Sequence, residues 1–195
     1  MKKIPKGQYG YINNEKRKRL VIMLIMFAIP LAIFVSGIRY TGSRNNVLTI
    51  IAVLGMIPAA KFAVDWIMIL TVKSAPESVF RLTEEKASAR ERAYELVVTA
   101  YEGRMPLDAV VAYQNSVACL SLNGQKELIS KMETHMAKIL SSNGLWDETV
   151  KIFTDEARFA RRLDQMSSGK EDGDSQAGDP KREAKVMQVI RAISL

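Results

Sequence analysis

Few side chains in this 195-residue sequence are suited to nucleophilic or zinc chemistry. There is one cysteine, Cys119, and one histidine, His135. A structural zinc site takes four ligands, mostly Cys and His, and a catalytic nucleophile needs an adjacent base, so these two residues suggest neither kind of site. Cys119 lies in a short apolar run, and we expect an inert thiol in the core. A single cysteine allows no intramolecular disulfide, which agrees with a reducing cytoplasmic location.

Carboxylates offer a different chemistry, the binding of a divalent metal. Asp108 lies in the apolar run 107–113 and is the candidate catalytic residue. Metal-dependent hydrolysis would require it to converge with a second carboxylate, for which Glu95, Glu102 and Glu127 are the candidates. The simpler interpretation is that Asp108 is a turn or cap residue. The sequence therefore favours a protein without a catalytic constellation, a metal site or a cofactor, and more a non-enzyme than an enzyme.

Lys61 and Asp65 stand four residues apart inside a long apolar run, and therefore on one face of a helix. Charged groups in a bilayer are costly and tend to pair or to face protein. They could line an ion or proton path in a small transporter or channel subunit. That function requires oligomerisation, because two helices enclose no pathway. We favour the alternative of a self-neutralising pair near the inner end of the helix, with Lys61 extending toward the headgroups.

Two apolar runs, residues 20–38 and 47–72, dominate the N-terminal part of the chain. Each is about as long as the 20 residues that a helix needs to cross a bilayer. Residues 39–46 between them are too few for a domain, and the kinks expected at Pro30 and Pro58 are tolerated in membrane helices. The sequence predicts a transmembrane hairpin over residues 20–72, and hence a two-span protein of the cell membrane.

The distribution of basic residues predicts the orientation of this hairpin. Seven Lys or Arg and one acidic residue precede residue 20, whereas the connecting loop holds only Arg39 and Arg44. The positive-inside rule then places both termini in the cytoplasm, and residues 1–19 form a basic tail that we expect to lie against anionic headgroups. Residues 1–73 carry a formal charge of +9 and residues 74–195 a charge of −2. The rest of the chain therefore lacks the positive field of a nucleic-acid binder.

Residues 74–166 predict a small cytoplasmic α+β domain with the order helix, strand, strand, strand, helix, strand, helix. A polar segment, 167–180, predicts a flexible linker. It leads to an amphipathic helix over 181–195, which could dock on the domain, lie on the membrane or bind a partner. The expected elements are a helix from Pro76 to about Arg92, strands at 94–101, 107–113 and 117–122, a helix at 125–142, a strand at 148–153, and a helix capped by Thr154.

Three arginines on this last domain helix, Arg158, Arg161 and Arg162, form a small basic patch. Their position after Asp155 and Glu156 suits the helix dipole, since acids lie in the first turn and bases follow. We favour a solvated face over a binding site for this patch.

The element order and the segment MPLDAVVAYQNSVACLSLNG (105–124) resemble the core of the restriction-endonuclease-like nucleases, the PD-(D/E)XK group. They also resemble the nuclease-related domains that bacteria attach to membrane spans. The resemblance implies that Asp108 occupies the position of the family's metal-binding Asp. Where the family has Glu-x-Lys or Asp-x-Lys on its third strand, this chain has Ser121, Leu122 and Asn123. The resemblance thus implies a pseudo-nuclease, because the second carboxylate and the lysine that activates water are missing.

The layout also resembles small two-span membrane proteins of Gram-positive bacteria that have no established function. We therefore expect a membrane-anchored interaction or scaffold module whose partner is another protein or a second copy of this chain. Nucleic acid is not expected as a partner. The alternatives are a membrane-tethered nuclease or nucleic-acid binder, and the transporter or channel subunit described above.

Overall fold

The computed structural model describes residues 4–101, 103–168 and 179–194. The chain forms two compact units, one that combines Met1–Tyr11 with Lys73–Leu195 and one that comprises Ile12–Val72. The first unit is a small domain with a sheet and helices, and the second is built from two long helices. The α+β fold class with an N-terminal helical hairpin, predicted from the sequence, is confirmed.

The two long helices are α1 (Tyr11–Thr41) and α2 (Val47–Leu70), and both are long and apolar enough to span a membrane. Helix α1 is longer than the apolar run that predicted it, because the polar residues before Leu20 continue the helix. Its 31 residues correspond to about 46 Å at ~1.5 Å per residue, against a hydrocarbon thickness of about 30 Å. Asn46 caps α2, since its side chain accepts a hydrogen bond from the Thr49 N–H at 2.9 Å.

Apart from Ile12 at the start of α1, the buried positions of this helical hairpin hold small residues and a proline. Pro30 and Gly37 of α1 and Ala52 and Ala59 of α2 are buried, whereas many large apolar side chains of both helices are exposed. A Cβ atom on Gly37 would lie 2.9 Å from the Cβ of Leu48, so a larger residue would push the chain apart there. Small residues inside and large apolar residues outside are typical of helices that pack in lipid.

In its described residues, the domain contains a four-stranded sheet, four α-helices and a short 3-10 helix at Lys126–Leu128. The sheet order is β1-β2-β3-β4, with antiparallel pairing between the first three strands and parallel pairing of β3 with β4. Helix α4 lies in the crossover connection that a parallel pair requires. The elements in chain order are α3 (Glu77–Ala87), β1 (Glu91–Ala100), β2 (Gly103–Tyr113), β3 (Ser116–Leu120), α4 (Ile129–Ser142), β4 (Thr149–Phe153), α5 (Glu156–Ser168) and α6 (Pro180–Ala192).

Both faces of the sheet are covered by helices, so the domain has two cores. Helices α4 and α6 cover one face and α3 and α5 cover the other. Because both faces are buried, β2 and β3 read as nearly continuous apolar runs rather than as alternating ones. The first core includes Ala93, Leu96, Val98, Leu107, Val110, Cys119, Met136, Met187 and Ile190, and the second includes Val79, Tyr94, Ala109, Val111, Leu120, Phe159 and Leu163.

The C-terminal helix α6 docks on the domain, which is one of the three alternatives that the sequence left open. Val186, Met187 and Ile190 are fully buried in the first core. Glu183 accepts a hydrogen bond from the Gln114 N–H at 3.0 Å, which ties the helix to the β2–β3 turn. Asp179 caps the helix through the Lys181 N–H.

Several element boundaries differ from those expected. Helix α3 ends at Ala87 instead of continuing to about Arg92, because Arg92 already pairs with Val111 in the sheet. The cap of α5 is Asp155 rather than Thr154, since its carboxylate accepts from the Arg158 N–H at 3.1 Å. The predicted linker, 167–180, begins inside α5, and its residues 169–178 lie outside the described residues.

The N-terminal strap, defined as residues 4–10, packs against the domain. The Gly7 carbonyl accepts a hydrogen bond from the Tyr94 N–H of β1 at 2.9 Å, and the Lys6 ammonium donates one to the Ser194 carbonyl. The Tyr9 ring stacks on Phe80 of α3, with ring centroids 4.7 Å apart. These contacts explain why the first residues of the chain belong to the same compact unit as the domain.

Candidate functional site

The regular alternation of β1 and β2 breaks at one level of the sheet, which is where Glu95 and Asp108 lie. On either side of this level, Tyr94 pairs with Ala109 and Leu96 pairs with Leu107. Glu95 has a φ of +53°, a left-handed conformation that is strained for a residue with a Cβ atom. Both carboxyl side chains are buried, with exposed fractions of 1% for Glu95 and 3% for Asp108. The structure thus brings together the catalytic candidate and one of its three candidate partners.

Asp108 accepts a hydrogen bond from the Leu122 N–H at 2.7 Å and thereby fastens the end of β3 to β2. Burial raises the pKa of the Asp108 carboxyl above its usual range. The Leu122 N–H opposes this rise, and the negative charges of Glu95 and Glu156 add to it. This contact matches the simpler interpretation of Asp108 as a residue that holds a turn.

Glu95 fastens the segment that leads into α3. Its Oε1 accepts hydrogen bonds from the Ser74 hydroxyl and from the Ala75 N–H, the latter at 3.3 Å. This segment follows α2 directly, and the N-terminal strap that precedes α1 is bonded to the neighbouring residue, Tyr94. Both segments that flank the helical hairpin in sequence are therefore attached at two adjacent residues of β1.

The other residues of the nuclease-like interpretation do not add a third metal ligand in the described ranges. Ser121 is buried and its hydroxyl donates to the Pro106 carbonyl, while Asn123 and Glu127 are exposed. Glu102 lies outside the described residues. Across 4–101, 103–168 and 179–194, no group of three or more His, Cys, Asp or Glu residues could hold a metal ion.

Lys61 and Asp65 do not form the expected ion pair in the described helices. Lys61 is exposed, whereas Asp65 is half-buried and its carbonyl accepts a hydrogen bond from Arg19 at 3.3 Å. The ion pairs at this end of the hairpin join Glu15 to Lys18 at 3.2 Å and to Arg19 at 3.5 Å. These ion pairs therefore lie where α1 begins, and Arg19 links that end to the last turns of α2.

The three arginines of α5 differ in their surroundings. Arg158 and Arg161 are exposed, and Arg162 is half-buried with a hydrogen bond to the Ser116 hydroxyl at 3.0 Å. Arg162 thus fixes α5 to the start of β3, and two residues of the predicted patch remain at the surface.

Cys119 lies in the core, and His135 lies on α4. The Cys119 thiol is fully buried, and burial raises its pKa. His135 is half-buried on α4.

Comparison with known proteins provides no relative for the chain. No protein-family model matches it, and neither a curated protein nor a solved structure shows a significant match.

Substitutions at Glu95 separate the cost of its backbone conformation from the loss of its hydrogen bonds. Glu95→Ala and Glu95→Gly both remove the acceptor for Ser74 and Ala75. Only Ala keeps a Cβ atom at φ +53°, so we expect the Gly variant to be more stable than the Ala variant by about 1 kcal/mol. Urea unfolding of the full chain in detergent measures the difference. The control is Thr99, which lies in a regular part of β1, and there we expect the Ala variant to be more stable than the Gly variant. If Gly were the more stable variant at both positions, the left-handed conformation of Glu95 would not explain the difference.

Asp108→Asn should change how stability depends on pH. The raised pKa means that the folded state holds the Asp108 proton more tightly than the unfolded state, whose pKa is near 3.8. The contribution of Asp108 is therefore most favourable below about pH 4 and declines as pH rises through the folded-state pKa. Asn cannot titrate, so the free energy of unfolding of the wild type minus that of the variant should fall with pH. A difference that is constant or rises between pH 4 and 8, measured by urea unfolding, would refute the assignment.

Proposed function

We propose that this chain is a membrane-anchored interaction module without catalytic activity, with its domain and both termini in the cytoplasm. The observation that carries the proposal is the attachment of both hairpin-flanking segments to Tyr94 and Glu95 of β1. A domain that is joined to its anchor through two segments stays at the membrane and can present a surface there.

Topology is supported by connectivity and by charge. The strap and the segment after α2 belong to the same compact unit, so the chain leaves that unit at Tyr11 and returns to it at Lys73. The segment between these two residues must then cross the membrane an even number of times, as two transmembrane helices do. The basic residues Lys16, Arg17, Lys18 and Arg19 precede the apolar part of α1, which favours the cytoplasm for this end.

The proposal of a module without catalytic activity is supported by the hydrogen bonds of the two buried carboxylates. Glu95 and Asp108 accept hydrogen bonds from backbone N–H groups at chain turns, as structural carboxylates do. The positions that supply a second carboxylate and a lysine in the nuclease family are Ser121 and Asn123 here. A metal held by few protein ligands also requires substrate phosphates, and a nuclease would need more than this pair provides.

Trp146 is the residue that we assign to partner contact. In the described part of the domain, the exposed large apolar residues are Tyr101 and Trp146, and Trp146 is 75% exposed. Its loop is fixed on both sides, since Leu145 is buried and Glu148 accepts from Arg182 at 3.0 Å. Tryptophan is enriched among the residues that dominate binding energy in protein interfaces, and the partner is another protein or a second copy of this chain.

Cysteine labelling tests the topology. Cys119 is fully buried, so the natural thiol should not react with a bulky membrane-impermeant maleimide. In intact cells of an expression host, we expect Ser43→Cys, in the exposed loop between α1 and α2, to be labelled. Ser88→Cys, exposed after α3, should be labelled only when the membrane is permeabilised. The opposite pattern would overturn the proposed orientation.

Photo-crosslinking in native membranes tests the interaction. With a photoreactive amino acid in place of Trp146, we expect a discrete crosslinked species that contains a protein partner or a second copy of the chain. The matched control carries the same amino acid at Lys131, which is exposed on α4. Trp146→Ala should reduce recovery of that partner at least tenfold. Truncating an aromatic residue that dominates an interface costs about 2 kcal/mol or more of binding free energy. Equal crosslinking from both positions, or none, would reject Trp146 as the contact.

A further inference from the structure

A cavity of about 200 Å³ lies between α1 and α2, within the compact unit that these two helices form. Four of its six lining residues carry a charge, although both helices are long and apolar enough to span a membrane. The cavity is smaller than the about 300–1,000 Å³ of a site that encloses a drug-sized ligand, so it suits one polar group of a larger molecule. The lining residues are Glu15, Lys18, Arg19, Ile22, Phe62 and Asp65.

This cavity lies at the level where the apolar part of the hairpin begins. Lys18 and Arg19 directly precede the apolar run that starts at Leu20, and α2 ends at Leu70, five residues after Asp65. Five residues of helix correspond to about 7.5 Å, which is close to the depth of the polar region on one side of a bilayer, about 5–8 Å. If the hairpin spans a membrane, the charged walls of the cavity therefore lie among the lipid headgroups.

The two helices contribute charges of opposite sign to the cavity. On α1, Glu15 pairs with Lys18 at 3.2 Å and with Arg19 at 3.5 Å, so these three residues together carry one positive charge. On α2, Asp65 contributes a negative charge, and Arg19 bonds to its main-chain carbonyl at 3.3 Å rather than to its carboxylate. None of the ion pairs in the described part of the hairpin includes the Asp65 carboxylate. A carboxylate at this depth is costly without a cation.

The charged groups of the cavity remain accessible to a ligand. The Lys18 side chain is 56% exposed and the Arg19 side chain 34% exposed, whereas the Glu15 side chain that holds them is only 12% exposed. An ammonium has three donors and a guanidinium has five, so both groups can bind an anion without leaving Glu15. Asp65 is half-buried and lines the cavity. The site can therefore accept a molecule that carries an anion and a cation close together.

We propose that this cavity binds the headgroup of phosphatidylethanolamine, with the phosphate on Lys18 and Arg19 and the ammonium on Asp65. The primary ammonium donates hydrogen bonds to a carboxylate, whereas the quaternary ammonium of phosphatidylcholine has no N–H and phosphatidylglycerol has no cation. The acyl chains would lie on exposed apolar side chains of the hairpin such as Leu24 and Ile67. The proposal rests on the membrane anchor of the proposed function and is independent of Trp146 and of the protein partner.

The test is native mass spectrometry of the full-length protein in detergent, titrated with phosphatidylethanolamine, phosphatidylcholine and phosphatidylglycerol of the same acyl chains. We expect a one-to-one complex with phosphatidylethanolamine that is about fivefold tighter than with either other lipid, as expected for one additional charge contact at a membrane surface. Soluble phosphoethanolamine carries the same two charged groups. It should not displace the lipid at equal concentration, and if it does, the site belongs to the soluble compound and the lipid assignment is wrong.

Two variants separate the contact to the ammonium from the contact to the phosphate. Asp65→Asn keeps the size of the side chain and removes its charge, so it should abolish the preference for phosphatidylethanolamine over phosphatidylcholine. Lys18→Gln should weaken the binding of both lipids about fivefold, because both carry the phosphate. The matched control is Arg17→Gln, since Arg17 is exposed, adjacent to Lys18 and not among the residues that line the cavity. It should leave both affinities unchanged.

Flotation of the same protein with liposomes of phosphatidylcholine tests the anchor separately. A protein that does not float contradicts the membrane anchor and the lipid site together. A protein that floats but binds phosphatidylethanolamine no tighter than the other lipids overturns the lipid site alone. The site is also rejected if Asp65→Asn keeps the preference, or if Arg17→Gln weakens binding as much as Lys18→Gln does, because binding would then reflect the basic charge of the segment and not the cavity.

Discussion

The hydrogen bonds at Tyr94 and Glu95 are the constraint on which the arrangement of the domain depends. A domain whose chain is interrupted by a helical hairpin has two loose segments, and each would lose conformational entropy when it is ordered. The strap is ordered through the Tyr94 N–H, and the segment before α3 is ordered through the Glu95 carboxylate. Glu95 makes this contact as a buried carboxylate and with a left-handed backbone conformation inside a strand. Both are costs of the order of 1–3 kcal/mol that surrounding packing must offset.

The same segments also protect the sheet. Strand β1 is at an edge, and exposed edges invite pairing with other chains. Gly7 bonds to this edge at Tyr94, Ser194 bridges to it at Val98, and Lys6 joins the strap to Ser194. At the other edge, Glu133 of α4 accepts from the Ile152 N–H of β4 at 2.8 Å. The N-terminal and C-terminal parts of the chain thus both bond to β1 and cover part of this edge of the sheet.

Most of the fold could be predicted because its signals are local. Long apolar runs predicted the hairpin, and the Gln114–Asn115 turn between apolar runs predicted the β2–β3 pair. The break at Glu95 could not be predicted, because glutamate carries no signal for a left-handed conformation inside a strand. The contacts of the strap with the domain were missed for a related reason, because the basic residues around it indicated a tail that lies against lipid headgroups. Its signal was the composition of residues 5–11, where a proline, two glycines and two tyrosines are unusual in a lipid-bound basic segment.

The strap joins the domain to the start of α1 through few bonds, since Tyr9 contacts the domain and α1 begins at Tyr11. Among the described residues, the contacts between the strap and the domain include the backbone hydrogen bond of Gly7, the ammonium contact of Lys6 and the ring stack of Tyr9. Hydrogen bonds of this kind contribute about 1 kcal/mol each, and an aromatic pair adds a similar amount. An interaction that is made only with the docked strap stabilises docking by its own free energy, as linkage requires. The reverse also holds, because anything that pulls the strap from β1 must weaken that interaction by the same factor.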